Sequence, residues 1–239
     1  MKWKLRFFVL IAVCALSSPK LHALTAQQID NEVRLYLKDN ATNTTRQQFT
    51  DTTILNFIND GQREANAIGW LLQSSYTFTL VGGTTYYNLP SDFMAPQRVL
   101  FNNVKLDATS LNQLDASAAG WVSSNGQPIN YYIYSANPSQ MGFYPVPTTT
   151  STGTVILFYI QQPVELTSLT QTPFNGWPIL TPYHSALIYY VTYRCYLTLE
   201  EQELGTPYYN EWINFLTFMK TGVMKQPDFN PGFQGRRNQ

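Results

Sequence analysis

The stretch FTDTTILNFINDGQRE, residues 49–64, predicts an amphipathic helix with a well-marked start. Thr50 is a favourable N-cap residue, because its hydroxyl can accept a hydrogen bond from a free N–H of the first turn. Asp51 places a negative charge at the positive end of the helix dipole. Phe49 and Ile54 have the spacing of a hydrophobic staple, which fixes the entry of the chain into the helix. The predicted apolar face consists of Ile54, Leu55, Phe57, Ile58, Ala65 and Ile68.

A second helix is predicted on the N-terminal side of this stretch. Thr25 with Gln28 three residues later is a capping-box pattern, and apolar side chains recur at helical spacing as far as Leu37. On the C-terminal side the period changes at about Gln73. Aromatic and polar residues alternate from there on, which predicts β-strands.

Turn residues divide the β-region into strand pairs. Glycine and asparagine pairs between apolar runs are typical of hairpin turns. The predicted pairs are residues 76–80 with 84–89 across Gly82-Gly83, residues 98–101 with 104–106 across Asn102-Asn103, and residues 131–134 with 141–144. Residues 154–160 form the most continuous apolar run, so we expect a central strand there.

Two further helices are predicted after the strands. Thr181-Pro182 and Thr206-Pro207 each combine a threonine N-cap with a proline at the first helical position, where the missing N–H is not needed. Gly205 is expected to end the first of these helices. The remaining residues contain several prolines and glycines and predict no regular element.

These patterns predict an α+β fold, namely a four-helix bundle with an inserted antiparallel β-sandwich or barrel-like domain. The expected divisions are residues 24–72 and 177–223 for the two parts of the bundle, 73–176 for the inserted β-domain, and 224–239 for an extended C-terminal tail. Residues 1–23 precede them as an apolar segment that resembles a signal peptide, with basic residues before an apolar run at 7–16. That run is too short to span a membrane comfortably.

The composition favours contact with other proteins over contact with nucleic acids. Aromatic residues make up 15% of the chain, and charged residues only 13%, about half the usual share. Tyrosine and tryptophan are enriched at protein interfaces and lysine and glutamate are depleted there. An equally good explanation is a β-domain whose strands simply use threonine, tyrosine and valine. The formal net charge is +0 and the basic residues are scattered, which argues against specific nucleic-acid binding.

The sequence gives no pattern for a catalytic, cofactor or metal site. Its two histidines, His22 and His184, have no neighbouring cysteine or carboxylate at the spacing of a zinc site. Neither a glycine-rich phosphate loop nor a nucleophile elbow occurs. Isolated carboxylates in the β-region are typical of solvated turns. We therefore expect no enzyme, no cofactor and no metal.

Several short pieces of the chain resemble head-to-tail adaptor proteins of tailed phages. The stretch 49–64 is similar to the opening helix of that family. The other matching pieces, in the same order along the chain, are YNLPSDF at 87–93, RV at 98–99, LD at 114–115 with Trp121, Pro128 with YY at 131–132, GFYPVP at 142–147 and YHSALIYY at 183–190. The resemblance covers roughly residues 25–219.

This resemblance implies a structural role in the virion. Adaptors of this family form a ring, commonly dodecameric, below the portal of the capsid. They extend the DNA channel and present a surface to the tail or nozzle protein, without sequence-specific DNA binding and without a membrane. We expect a neutral or acidic channel, because a basic lining would retain DNA. Without Lys2, Lys4, Arg6 and Lys20, the chain has 11 basic and 15 acidic residues and a net charge of −4.

The C-terminal tail supplies the predicted docking residues. Phe229 and Phe233 are apolar in an otherwise polar segment, and Arg236 and Arg237 are an adjacent basic pair. We expect these four residues to contact the portal or the tail. The alternative is an exported bacterial binding module for a glycan or protein ligand, which the N-terminal segment and the tyrosine-rich strands would explain. An enzyme would require distant carboxylates to converge in a pocket.

Overall fold

A computed structural model describes residues 23–39, 48–117, 119–134, 136–137 and 139–224, without the side chains of residues 223 and 224. The fold is mixed α+β, as predicted. The signal-like segment lies outside the described residues except for Ala23, so its role stays a prediction.

The described residues form five α-helices and ten strands. The helices are α1 (Ala26–Leu37), α2 (Asp51–Gly69), α3 (Leu111–Ser117), α4 (Ala186–Thr198) and α5 (Gln202–Met224). The strands are β1 (Gln73–Leu80), β2 (Tyr86–Asn88), β3 (Phe93–Phe101), β4 (Val104–Lys105), β5 (Asp107–Ala108), β6 (Asn125–Gly126), β7 (Asn130–Ile133), β8 (Gln140–Tyr144), β9 (Val146–Pro147) and β10 (Gly153–Gln161). Short 3-10 helices occur at Trp121–Ser123, Phe174–Gly176 and Pro178–Tyr183.

The strands form two four-stranded sheets and one small two-stranded sheet. The first sheet has the order β1-β10-β3-β4, the second β2-β8-β7-β5, and the third β6-β9. All pairs are antiparallel except β5 with β7 and β6 with β9, which run parallel over two residues each. Val99 and Leu157 of the first sheet pack in one buried cluster with Met141 and Phe143 of the second. The run at 154–160 is a central strand, as predicted.

The predicted hairpin across Gly82-Gly83 is wrong. β1 pairs with β10 and β2 pairs with β8, so the two strands on either side of these glycines belong to different sheets. The glycines instead allow a close crossing. A Cβ atom on Gly82 would lie 2.5 Å from the backbone nitrogen of Thr149, and the N–H of Gly83 donates to the carbonyl of Pro147 at 2.8 Å.

The other two predicted strand pairs are confirmed. Asn102 and Asn103 have φ angles of 48° and 66°, and they connect β3 to the antiparallel β4. Asparagine tolerates this left-handed region better than most residues, which is why the pair is a good turn. β7 and β8 also pair antiparallel.

The N-caps of the first two helices are confirmed. The Thr25 hydroxyl accepts a hydrogen bond from the N–H of Gln28, and the Gln28 side chain accepts one from the N–H of Thr25. At α2, the Thr50 hydroxyl accepts from the N–H of Thr53. Phe49 and Ile54 are both buried in the helical core.

The predicted starts of the last two helices are wrong. Thr181 and Pro182 lie in a 3-10 helix, and α4 begins only at Ala186. The break between α4 and α5 is at Glu200, whose φ angle is 60°, while Gly205 and Pro207 lie inside α5. Gly205 does not end a helix, because it packs closely on α4: its Cβ atom would lie 3.1 Å from Cβ of Tyr196.

The helical core joins four of the helices. α4 packs against α1, α2 and α5, and the buried residues of all four form one apolar cluster. The segment after β10 also contributes to this cluster through Leu166 and Phe174.

One buried arginine fixes the connection between α1 and α2. Arg34 is 1% exposed, and its guanidinium lies 2.9 Å from Asp30, 2.9 Å from Asp39 and 2.8 Å from Asp51. It also donates to the carbonyl of Phe49 at 3.0 Å. Burial raises the pKa of Asp30, and the ion pair with Arg34 opposes that rise. The arginine therefore holds three carboxylates together at the entry of α2.

Replacing this arginine is expected to be costly. Arg34→Met leaves three carboxylates close together without their counter-charge, so we expect the free energy of unfolding to fall by about 3–5 kcal/mol. The matched control is Arg63→Met on α2, which removes an exposed arginine paired with Asp60 and Glu165. The control should lower the free energy of unfolding by less than about 1 kcal/mol. Urea denaturation followed by circular dichroism measures the stability of both variants. Equal losses of stability would contradict the structural role of Arg34.

Candidate functional site

Three buried amide side chains on α2 hold the chain segment that follows β10. Asn59, Gln62 and Asn66 lie on one face of α2 and are at most 6% exposed. We call them the amide ladder. Each accepts a hydrogen bond from one backbone N–H and donates to one backbone carbonyl, and therefore satisfies two buried groups.

The partners of the amide ladder follow the chain from β10 toward α4. Asn59 binds both the N–H and the carbonyl of Leu166, at 2.8 and 3.0 Å. Gln62 accepts from the N–H of Phe174 at 3.0 Å and donates to the carbonyl of Val164 at 3.0 Å.

Asn66 completes the ladder at the end of β10. It donates to the carbonyl of Gln161, the last residue of β10, at 2.9 Å, and accepts from the N–H of Leu72 at 2.8 Å. The three amides therefore attach the strands to the helices.

The residues between the amides contact the last two helices. A Cβ atom on Gly61 would lie 2.8 Å from the Tyr190 ring and 2.9 Å from Leu187, so only glycine allows α4 to approach this closely. Glu64 accepts a hydrogen bond from the indole of Trp212 on α5 at 3.2 Å. The stretch 49–64 thus contacts every major part of the helical core.

The amide ladder can be tested with a matched pair of variants. Asn59→Leu leaves the N–H and carbonyl of Leu166 buried and unpaired, so we expect a loss of about 2–3 kcal/mol in the free energy of unfolding. Asn56→Leu makes the same change one turn earlier on α2 at an exposed position. It should change stability by less than about 0.5 kcal/mol. Denaturant titration of both variants gives the comparison, and a small effect of Asn59→Leu would refute the role of the ladder.

A group of aromatic rings forms a partly exposed surface on the helices. α1 and α5 both pack on α4, and aromatic side chains from all three helices meet there. We call this surface the aromatic groove, formed by Tyr36, Tyr189, Tyr196, Tyr208 and Phe215 and extended along α5 by Leu204 and Phe218.

The rings of the aromatic groove contact one another. The Tyr208 ring lies 5.6 Å from Tyr36 in an edge-on arrangement and 5.7 Å from Tyr196 in a stacked one. Tyr189 stacks on Phe215 at 5.5 Å. These contacts hold the rings in place, and a rigid aromatic surface loses little entropy when a partner binds.

Exposure makes the aromatic groove a candidate interface. Phe218 is 68% exposed, Leu204 is 55% exposed and Tyr36 is 43% exposed. Contiguous exposed apolar side chains on a soluble protein are typical of interaction surfaces. Burial raises the pKa of Tyr189 and of Tyr208, so both hydroxyls stay protonated and neutral at physiological pH.

Acidic side chains lie close in sequence to the residues of the aromatic groove. Glu32 lies one turn before Tyr36 on α1, and Glu211 lies between Tyr208 and Phe215 on α5. The start of α5 adds three more glutamates. The exposed carboxylates are Glu32, Glu200, Glu201, Glu203 and Glu211. A partner of this surface should therefore combine aromatic or apolar side chains with positive charge.

The open edge of the first sheet is a second candidate interface. Within the described residues β1 pairs only with β10, in continuous register from Gln73 to Leu80. It carries no charged side chain and no proline, the usual protections of an edge strand. Its free backbone groups can accept another strand.

A polar cleft between α4 and α5 gives no support for catalysis. It measures about 450 Å³ and is lined in part by Glu64, Tyr190 and Arg194. Arg194 donates to the Tyr190 hydroxyl at 2.9 Å and pairs with Asp60 at 3.5 Å. Burial raises the pKa of Tyr190 to about 12, so its hydroxyl is not poised to act as a base.

The described residues contain neither a metal site nor a membrane-spanning helix. No group of three or more histidine, cysteine, aspartate or glutamate side chains there could hold a metal ion. No described helix is long and apolar enough to cross a membrane. His184, the histidine within this part of the chain, is buried, and its Nδ1 lies 3.2 Å from the carbonyl of Leu24.

The predicted docking residues Phe229, Phe233, Arg236 and Arg237 lie outside the described residues. The aromatic groove was not predicted from the sequence. Its tyrosines occur on three separate helices, and single tyrosines on a helix do not show whether they meet. The feature that could have indicated the aromatic groove is Phe218, an apolar residue at an exposed position of an amphipathic helix.

The described residues form a core held by buried hydrogen bonds, and they leave the aromatic groove and the edge of β1 open to contact. Both features are typical of a protein that is part of an assembly. Residues 24–222 match the family model described as SU10 adaptor protein. The chain belongs to this family and is a phage adaptor, a structural protein of the virion. No curated protein matches the chain.

Proposed function

We propose that this protein is a head-to-tail adaptor that forms a closed ring between the portal and the tail and extends the DNA channel. The observation that carries the proposal is the family match over residues 24–222. The role is structural and involves no catalysis. In a ring, each copy contacts two neighbours, and the aromatic groove and the edge of β1 are candidates for such contacts, each with its own complementary surface on the neighbouring copy.

The two surfaces suit a permanent assembly. Obligate interfaces typically bury more than about 2,000 Å² and are more apolar than transient ones. The exposed aromatic side chains of the groove and the uncharged β1 strand provide surface of this kind. In analogy with other head-to-tail adaptors we propose a dodecamer.

The charge of the chain fits a DNA channel. Without Lys2, Lys4, Arg6 and Lys20, the sequence has 11 basic and 15 acidic residues, a net charge of −4. A negative lining repels the phosphate backbone and lets DNA pass without being retained.

We further propose that the C-terminal tail contacts the portal through Phe229, Phe233, Arg236 and Arg237. We also propose the four-helix bundle with its inserted β-sandwich or barrel-like domain as the finer description of the fold, with the divisions predicted above. The exported binding module has less support, because the family match over residues 24–222 favours a phage adaptor.

Electron microscopy of the purified protein mixed with its portal tests the ring directly. We expect a closed annulus stacked coaxially on the portal. A protein that remains a single subunit and does not associate with the portal would contradict the proposal.

A charge in the aromatic groove is expected to prevent ring formation. Phe218→Asp places a carboxylate on an exposed apolar position of α5, so it should disrupt subunit contact without unfolding the protein. Thr217→Asp is the control, because its exposed side chain lies on a different face of the same helix. Analytical ultracentrifugation should show rings for the control and single subunits for Phe218→Asp. Rings of equal stability in both variants would exclude the groove from the interface.

A further inference from the structure

The outer face of the first sheet has no covering layer among the described residues. β10 is a central strand, and its apolar run at 155–160 is typical of a strand that is covered on both faces. On the inner face Val155 and Leu157 are buried against the second sheet. Ile156 and Phe158 lie on the outer face, because side chains alternate along a strand. They are partly exposed and belong to none of the buried clusters of the described residues.

The same outer face is basic. Phe158 of β10 lies opposite Arg98 of β3, and Lys105 of β4 lies opposite Leu100. Leu100 in turn lies opposite Ile156, so all five side chains share one face of the sheet. We call these five residues the basic sheet face. Its arginine and lysine are exposed, and the ion pairs found among the described residues involve other arginines.

No negative charge compensates this face from within the sheet. The strands β1, β3, β4 and β10 contain neither aspartate nor glutamate. The basic sheet face therefore combines apolar side chains with positive charge, whereas the aromatic groove combines aromatic side chains with nearby glutamates.

We propose that the aromatic groove of one subunit binds the basic sheet face of the neighbouring subunit in the ring. This inference rests on the proposed adaptor ring and names the two surfaces that meet in it. Each subunit offers its groove to one neighbour and its sheet face to the other.

Charge decides which surfaces can meet. Two basic sheet faces in contact would bring the Arg98 and Lys105 side chains of both copies together, and like charges oppose binding. Two grooves in contact would bring glutamates together. Glu211 is one of these: burial is the main cause of the raised pKa of Tyr189, and the negative charge of Glu211 adds to it. Opposite charges meet only when a groove binds a sheet face.

This pairing also has the symmetry that a ring needs. A contact between two different surfaces repeats from copy to copy around an axis and can close into a ring. A contact of one surface with itself has two-fold symmetry and stops at a dimer. Charge and symmetry therefore favour the same arrangement.

The contact covers the exposed apolar positions of both surfaces. Helices that pack on a sheet bury their apolar stripe against its face, and here they would supply the missing outer layer. α5 extends about 21 Å from Leu204 to Phe218. The four strands are about 14 Å from first to last, so the sheet face fits within the length of the groove. Hydroxyl groups of β1 complete the outer face beside the apolar residues and can bond to the groove tyrosines; they belong to Ser75, Thr77 and Thr79.

Charge reversal in the full-length protein tests the contact. The sheet variant carries Arg98→Glu and Lys105→Glu, and the groove variant carries Glu32→Lys and Glu211→Lys. All four positions are exposed, so each subunit should still fold, which circular dichroism checks. In analytical ultracentrifugation we expect each variant to need at least about tenfold more protein than the wild type to form rings.

The variant that carries all four changes is the decisive one. It reverses the charge of both surfaces, so opposite charges meet again, and it should form rings at nearly the wild-type concentration. An equal mixture of the sheet variant and the groove variant should also form rings, in which the two kinds of subunit alternate. If sheet faces bound each other, the four-change variant would assemble no better than the sheet variant, and that result overturns the proposal.

A single lysine change provides the matched control. Lys105→Glu should weaken ring formation, whereas Lys220→Glu should not. The control makes the same change of charge at an exposed position of α5, two residues after Phe218 and so on a different side of the helix. Equal effects at the two lysines, or wild-type rings in the sheet variant, overturn this contact and leave the ring itself standing. A wild-type protein that forms no ring with its portal refutes the ring and the contact together.

Discussion

The amide ladder of α2 is the contact on which the arrangement of the whole chain depends. Three side chains satisfy six backbone groups, four of which lie in the segment after β10, which has little regular structure of its own. A buried loop is stable only when such groups are paired. Asn59, Gln62 and Asn66 recur on one helical face, so a single helix holds the chain from the end of the last strand as far as Phe174. The position of the strands relative to the helices follows from this contact.

The same helix positions the last two helices through residues that lie between the amides. Gly61 allows the close approach of α4, and Glu64 binds Trp212 of α5. With α4 fixed against α2, its outer face carries Tyr189 and Tyr196 toward the rings from α1 and α5. The aromatic groove is therefore a product of core packing, although it lies on the surface.

The distribution of charge complements this design. The protein has few charged residues, and several of them serve internal contacts, such as Arg34 with its three carboxylates. The exposed ones are mostly acidic, and the basic tail follows the helix that carries the groove. An assembly component of a virion benefits from both features. Uncharged surface is available for permanent contact, and excess negative charge repels DNA and discourages association before the correct partner arrives.

The sequence by itself determined the elements whose signals are local. The caps at Thr25 and Thr50, the turn at Asn102-Asn103 and the central strand β10 all followed from chemistry within a few residues, and so did the α+β class. Only the tertiary structure decided the pairing of β1 with β10, the true starts of α4 and α5 and the meeting of the tyrosines. Glycine explains the errors at the β1–β2 connection and at the start of α5, because Gly82 and Gly205 resemble turn and stop signals but allow close approach to other segments. Local sequence cannot separate these two uses, since the neighbour that requires the glycine is far away in the chain.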